Sequence, residues 1–217
     1  MIPLNMILFT EKIFSEYKDS LLDILNNNYV DSISHKWLLE MKPKRMIYTV
    51  MYGDLFGKKP PQKILDVGGG YNGLTKILVE KNEYHLLDID DTIKGDFHIQ
   101  RDWHDFKPDK YDLIIANDLF PNVDQRLELF IKKFIPQCKE MRLSLTYHNQ
   151  PYFYKVKRTD VDATLFMLAY EGLQVESILD NYADRIAGYN PDLLLTSPES
   201  LFANGRLVAY VSIKGDL

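Results

Sequence analysis

The chain has 217 residues, 46% hydrophobic and 26% charged, enough for one sizeable core and too few for two full domains of ordinary size. Its 26 basic and 31 acidic residues leave a net charge of -5, so no overall attraction draws it to a phosphate backbone or an anionic membrane, and a small-molecule partner is expected over nucleic acid. Cys138 is the only cysteine, which excludes an intramolecular disulfide and a thiolate-built zinc site, and suits a reducing cytoplasm; no metal is expected.

The first ten residues lack the basic flank and small-residue cleavage site of a signal peptide, and no apolar run is long enough to span a membrane. Residues 9 to 56 read as helical, with Phe14, Tyr17, Leu21 and Leu22 and then Trp37, Leu38, Met46 and Val50 at near-helical spacing. Gly57 to Pro61 then acts as a linker. Beyond it strands alternate with helices. Residues 63 to 67 form a strand, 74 to 80 a helix, 84 to 89 a strand, 97 to 100 a third strand and 111 to 116 a fourth. A helix over 127 to 138 and a fifth strand over 141 to 146 follow, then a helix at 162 to 170, a strand at 174 to 179 and a last strand at 206 to 213. This alternation predicts an α/β three-layer sandwich around a mostly parallel sheet. Residues 1 to 60 are expected to form a helical cap and residues 61 to 217 the α/β domain itself.

The most informative segment is Asp66-Val67-Gly68-Gly69-Gly70-Tyr71-Asn72-Gly73, which leaves a strand and opens a helix. Asp88 follows about 20 residues after Gly68, where an acid accepts hydrogen bonds from ribose hydroxyls. An adenosine is common to NAD and S-adenosyl-L-methionine, so Asp88 does not separate them. Asp66 does. A carboxylate in the strand beside a pyrophosphate would be repelled, whereas a sulfonium and an ammonium group are suitable partners for it.

Ile64-Leu65-Asp66-Val67-Gly68-Gly69-Gly70 resembles the first motif of class I S-adenosylmethionine-dependent methyltransferases, departing at Asn72, where many members have a third glycine. The resemblance runs through most of the chain from residue 63 onward. It implies a seven-stranded sheet with an antiparallel last strand, and S-adenosyl-L-methionine as cofactor. It also implies that Asp88 holds the ribose, Ile89 packs on the adenine, Asp102 meets the adenine amino group and Trp103 lies against the ring. Gly68, Gly69, Gly70, Tyr71, Asn72 and Asn117 complete the expected cofactor contacts.

Ligands of open α/β sheets bind beyond the carboxyl ends of the strands, so chemistry is expected after the fourth and fifth strands. His148 is the candidate base, because imidazole accepts a proton near neutral pH, and Asp118 is the next candidate. His35, Tyr48 and Tyr52 in the N-terminal segment are candidate acceptor contacts. Arg158, with Lys155, Lys157 and Arg185, is a candidate anion contact. The Asn/Asp-Pro-Pro-Tyr/Phe motif of adenine and glutamine N-methyltransferases is absent, since the fourth strand runs Asn117-Asp118-Leu119-Phe120-Pro121. The leading expectation is O-methylation of a small molecule in natural-product or surface-polysaccharide metabolism. RNA or protein methylation, or a catalytically silent cofactor-binding subunit, are the alternatives, and a homodimer is compatible with all of them.

Overall fold

The apolar runs at residues 64–67, 84–87, 111–116 and 141–145 become strands of one sheet, buried on both faces as parallel strands under helices must be. A computed structural model describes residues 5–57, 60–157 and 164–217. Four helices follow β1 (Met6–Leu8): α1 (Glu11–Glu16), α2 (Leu21–Asn27), α3 (Ile33–Glu40) and α4 (Lys42–Tyr52). Then come β2 (Lys63–Val67), α5 (Gly73–Lys81), β3 (Glu83–Asp88), β4 (His98–Gln100), β5 (Tyr111–Phe120), α6 (Leu127–Phe134) and β6 (Cys138–Tyr147). The chain closes with a hairpin of β7 (Tyr152–Lys157) and β8 (Thr164–Ala169), then α7 (Gly172–Leu179), α8 (Asp192–Leu195) and β9 (Leu207–Lys214).

The main sheet has seven strands in the order β1-β9-β6-β5-β2-β3-β4. β9 runs antiparallel to both β6 and β1, so the remaining strands share one direction and their carboxyl ends meet at one rim. One face is covered by α6, α7 and α8. In α6, Leu127, Phe130, Ile131 and Phe134 recur at helical spacing and are buried against Leu143, Val67 and Ala116. On the opposite face Met46, Ile47, Met51 and Tyr52 of α4 join Leu78 of α5 against Ile64, Leu86, Leu113 and Ile115.

Three expectations are corrected. Residues 1 to 60 are not only a cap, since β1 forms an edge of the sheet and α4 supplies part of its core. The stretch expected as a strand over 174 to 179 is the helix α7, whose Val175 and Leu179 are buried one turn apart and whose start carries a capping box between Glu171 and Gln174. The apolar run there is short, and periodicity alone does not tell a buried strand from a buried helix. The helix expected over 162 to 170 is replaced at 164–169 by β8, which pairs with β7. With α7 withdrawn from the sheet, the edge beyond β9 is taken by β1.

Candidate cofactor and acceptor site

The turn after β2 depends on its glycines. Gly68 and Gly70 have φ of 67° and 65°, in the left-handed region. A Cβ on Gly69 would stand 2.5 Å from Oδ1 of Asp66. Asn72, where the sequence departs from the motif, has extended backbone and acts as the N-cap of α5: its Oδ1 accepts from the Leu74 amide at 2.9 Å, and Thr75 Oγ1 accepts from the Asn72 amide at 3.2 Å. Its buried side chain therefore shapes the turn and is not free for the cofactor, contrary to expectation.

Asp66, next to last in β2, is almost wholly buried, and its Oδ2 accepts from Tyr84 at 2.8 Å and Tyr52 at 3.0 Å. Its Oδ1 is buried with no hydrogen-bond partner. Burial pushes its pKa up to about 7, an increase the two phenols oppose and the nearby Asp88 reinforces. Tyr52, expected to touch the acceptor, is instead an enclosed partner of Asp66, and Tyr48 stacks on it with ring centroids 5.3 Å apart. Tyr48 itself stays partly exposed.

The N-terminal helices clamp this turn. Ser32 Oγ donates to the Tyr71 carbonyl at 2.5 Å, and a Cβ on Gly70 would stand 3.0 Å from Ser34 Oγ. His35 is fully buried, and its Nδ1 accepts the Gly73 amide at 3.0 Å. It is thus a support of the α5 N-terminus and not the expected acceptor contact; burial lowers its pKa, and Lys76 adds to this. Tyr71, the residue after Gly70, stacks on Phe97.

At the end of β3, Asp88 accepts from the Gly70 amide at 3.2 Å and from the Asp90 amide at 3.0 Å, so it joins the glycine turn to the following loop. Ile89 next to it is 59% exposed, an apolar side chain left without a core. Asp102 accepts from the His104 amide and lies 3.6 Å from Arg126, partly open to solvent. Trp103 departs from expectation. It is buried in the core beside Phe120 and Phe130, Arg126 covers its ring, and its Nε1 donates to Asp124 at 2.8 Å, so no ring face is left for an adenine.

Beyond β5 the structure assembles a polar rim. Asn117 is buried, with Oδ1 accepting from Ser144 and Nδ2 unpaired. Asp118 has φ of 57°, a conformation Asp tolerates better than most residues, and the β5–β6 register shifts between Asn117 and Phe120. Its neighbour Leu119 would touch a Cβ on Gly68, so this rim adjoins the glycine turn. Asp118 accepts from Lys44 at 3.2 Å, Arg206 at 3.2 Å, Thr146 at 2.9 Å and Asn122 at 3.1 Å. Burial alone would raise its pKa, but Lys44, Arg206 and Thr146 outweigh it and hold the carboxyl below its usual range. A carboxylate so fully engaged is a poor base, which removes Asp118 from that role.

His148 is buried at the start of the hairpin, its amide donating to Tyr170. Its ring lies edge-on to Tyr152, whose hydroxyl approaches Nδ1 at 3.4 Å, and near Tyr154. Burial and the Arg206 charge both lower its pKa, leaving a neutral imidazole at pH 7. Arg158 lies outside the described residues. Arg185 pairs with Asp216 at the opposite end of the sheet. Sequence reasoning missed Lys44, Arg206, Thr146 and Asn122, which sit in no motif and meet only through the fold.

No family model matches the chain, and no curated protein matches it in sequence. Its fold has solved neighbours. Magnesium protoporphyrin IX methyltransferase (ChlM) from Synechocystis PCC 6803 with bound SAM aligns over 97% of this chain and 99% of its own, with a TM-score of 0.51 at 14% identity. The same protein with bound SAH aligns over 94% and 99%, with a TM-score of 0.51 at 15% identity. The N-terminal domain of EvdMO1 with SAH bound covers 76% of this chain and 84% of its own, with a TM-score of 0.50 at 11% identity. Strand order, strand direction and these neighbours together give the chain the class I, Rossmann-like fold of S-adenosylmethionine-dependent methyltransferases.

Proposed function

We propose that the protein is an S-adenosyl-L-methionine-dependent methyltransferase that O-methylates a small-molecule acceptor in the cytoplasm. The observation that carries this reading is Asp66, a buried carboxylate at the glycine turn with one oxygen unpaired. An unpaired buried oxygen costs about 1–3 kcal/mol, which a cationic ligand would recover and a pyrophosphate would aggravate. The remaining polar groups fit the same cofactor. Asp88 supplies acceptors for ribose hydroxyls, Ile89 an exposed apolar surface for adenine, Asp102 a carboxylate for its amino group, and Asn117 a free amide donor.

Bound there, the cofactor would supply an electrophilic methyl group, and positioning the acceptor would be the protein's main task. Neutral His148 is the group to take the proton from an acceptor hydroxyl, through the ring nitrogen that does not face Tyr152. The solved neighbours include a porphyrin methyltransferase, which is compatible with a small-molecule acceptor. Calorimetry with S-adenosylmethionine, its demethylated product and NAD tests the reading: saturable binding of the sulfur compounds and none of NAD is expected. NAD binding without either would overturn it. Asp88→Ala should weaken the sulfur ligands by about 1–3 kcal/mol through unpaired ribose hydroxyls.

A further inference from the structure

We propose that the acceptor carries a carboxylate, received between Arg206 and Lys44 beside Asp118; this rests on the methyltransferase reading and names its substrate class. Two cations converge on a single carboxylate at the end of β5. Their side chains are only 16% and 11% exposed, and Asp118 is the one acid within ion-pair distance of either among the described residues. A structural staple across α4, β5 and the start of β9 needs one cation. The second leaves a positive charge that is poorly hydrated and has no counter-ion among the described residues.

Arg206 adds an independent observation. Its guanidinium carbon lies over Phe202, 4.1 Å from the ring centroid, and it donates to Asp118 only through NH1. Its Nε is buried with no hydrogen-bond partner. A planar fork with an unused donor edge matches the two oxygens of a carboxylate. The surplus here is one positive charge, which a monoanion neutralises and a phosphate dianion would overshoot.

The surroundings agree with an acceptor entering at this point. His148, whose charge state senses Arg206, places a proton acceptor next to the anion dock, and the rings of Tyr152 and Tyr154 continue the wall. Trp37 is 47% exposed, with Lys44 5.0 Å from its ring centroid, so an apolar surface borders the second cation. The charge at this rim differs from that expected at Lys155, Arg158 and Arg185, which a reading of basic residues along the sequence favours.

The test uses the full chain saturated with S-adenosylhomocysteine and follows binding of added probes by calorimetry, with the summed emission of Trp37 at this rim and the core Trp103 as a second readout. The probes are 4-hydroxybenzoate, 4-hydroxycinnamate and 3-hydroxybutyrate, the three corresponding amides, and phenyl phosphate. At least one carboxylate is expected to bind tenfold or more tighter than its amide and than phenyl phosphate. Arg206→Gln and Lys44→Gln should each abolish that preference while S-adenosylhomocysteine still binds, and should either variant fail to fold the other decides. Equal binding of all carboxylates and their amides, tighter binding of phenyl phosphate, or a preference that survives the substitutions would overturn the proposal. If S-adenosylhomocysteine does not bind the wild-type protein, the methyltransferase reading fails first, and the two failures are told apart.

Discussion

Arg142 of β6 donates to both carboxylate oxygens of Asp54, at 2.7 and 3.0 Å, and thereby ties the segment that follows α4 to the middle of the sheet. The same guanidinium donates to the Met51 carbonyl at the end of α4 and to Glu140, and it is 8% exposed. An N-terminal region that was only a lid would not be anchored in this way.

Deleting residues 1 to 56 should therefore leave a chain that does not fold. The deletion removes edge strand β1, the packing of Met46, Met51 and Tyr52 on the sheet, and the carboxylate partner of Arg142. Breaking a buried ion pair by removing one partner costs about 3–5 kcal/mol, reduced here because Asp54 is partly exposed and Glu140 remains. The expected readout is loss of a cooperative thermal transition. A deletion protein that melts cooperatively would restore residues 1 to 56 to the status of a cap.

Asp66 sets a pH dependence whose sign follows from its raised pKa. With a folded pKa of about 7 against an unfolded carboxylate near about 4, the native state favours the protonated form. The stability this contributes is present below the unfolded value and is lost as pH rises through 7, by about 2–4 kcal/mol. Asp66→Asn should flatten the fall in urea stability between pH 5 and pH 8. Cofactor binding near pH 6 should also release a proton, as an ammonium partner selects the carboxylate. Binding enthalpies that do not vary with buffer ionisation heat would count against that pairing.

Asn72→Ala should cost about 1 kcal/mol by removing the N-cap and half of the capping box of α5. Because the same side chain fixes the exit of the glycine turn, cofactor affinity should fall with it, although the side chain itself is closed off. Asn72→Ser, which keeps a capping oxygen, should recover most of both losses. Recovery of stability without affinity would show that Asn72 contacts the cofactor directly.

The glycine turn was legible in the sequence because its physics is local. A strand, three glycines and a helix start lie within a few residues, and Asp66 and Asp88 mark adjacent strand ends. The orientation of Trp103 was not legible because position beside Asp102 does not say which way a side chain turns, and Asp124 with the α6 phenylalanines draws it inward. The polar rim after β5 was not legible beyond the placement of His148 and Asp118 at the strand ends. Lys44, Asp118 and Arg206 are far apart in the chain, and a lone basic residue on α4 or before β9 carries no periodic signal. The edge strand β1 is three residues long, too short to show alternation above background.

The last expectation concerns His148 and separates proton abstraction from positioning. Its pKa lies below the usual imidazole value because burial and Arg206 both disfavour the charged form. If it takes the acceptor proton, kcat should rise as pH increases through that lowered value and be level by neutral pH, where the imidazole is already free to accept. His148→Ala should then lower kcat about 100-fold or more and leave cofactor affinity close to wild type, the signature of an interaction made in the transition state. Tyr152→Phe, which removes the hydroxyl that approaches Nδ1, should have a smaller effect on kcat, since it loosens the ring without deleting it. An acceptor that is already deprotonated in solution would need only proximity, and the same His148→Ala change would then raise acceptor KM with kcat nearly unchanged. The kcat–pH profiles of wild type and His148→Ala therefore decide the matter: a mutant that keeps both the wild-type kcat and the acidic limb assigns that limb to the acceptor and leaves His148 a wall of the pocket.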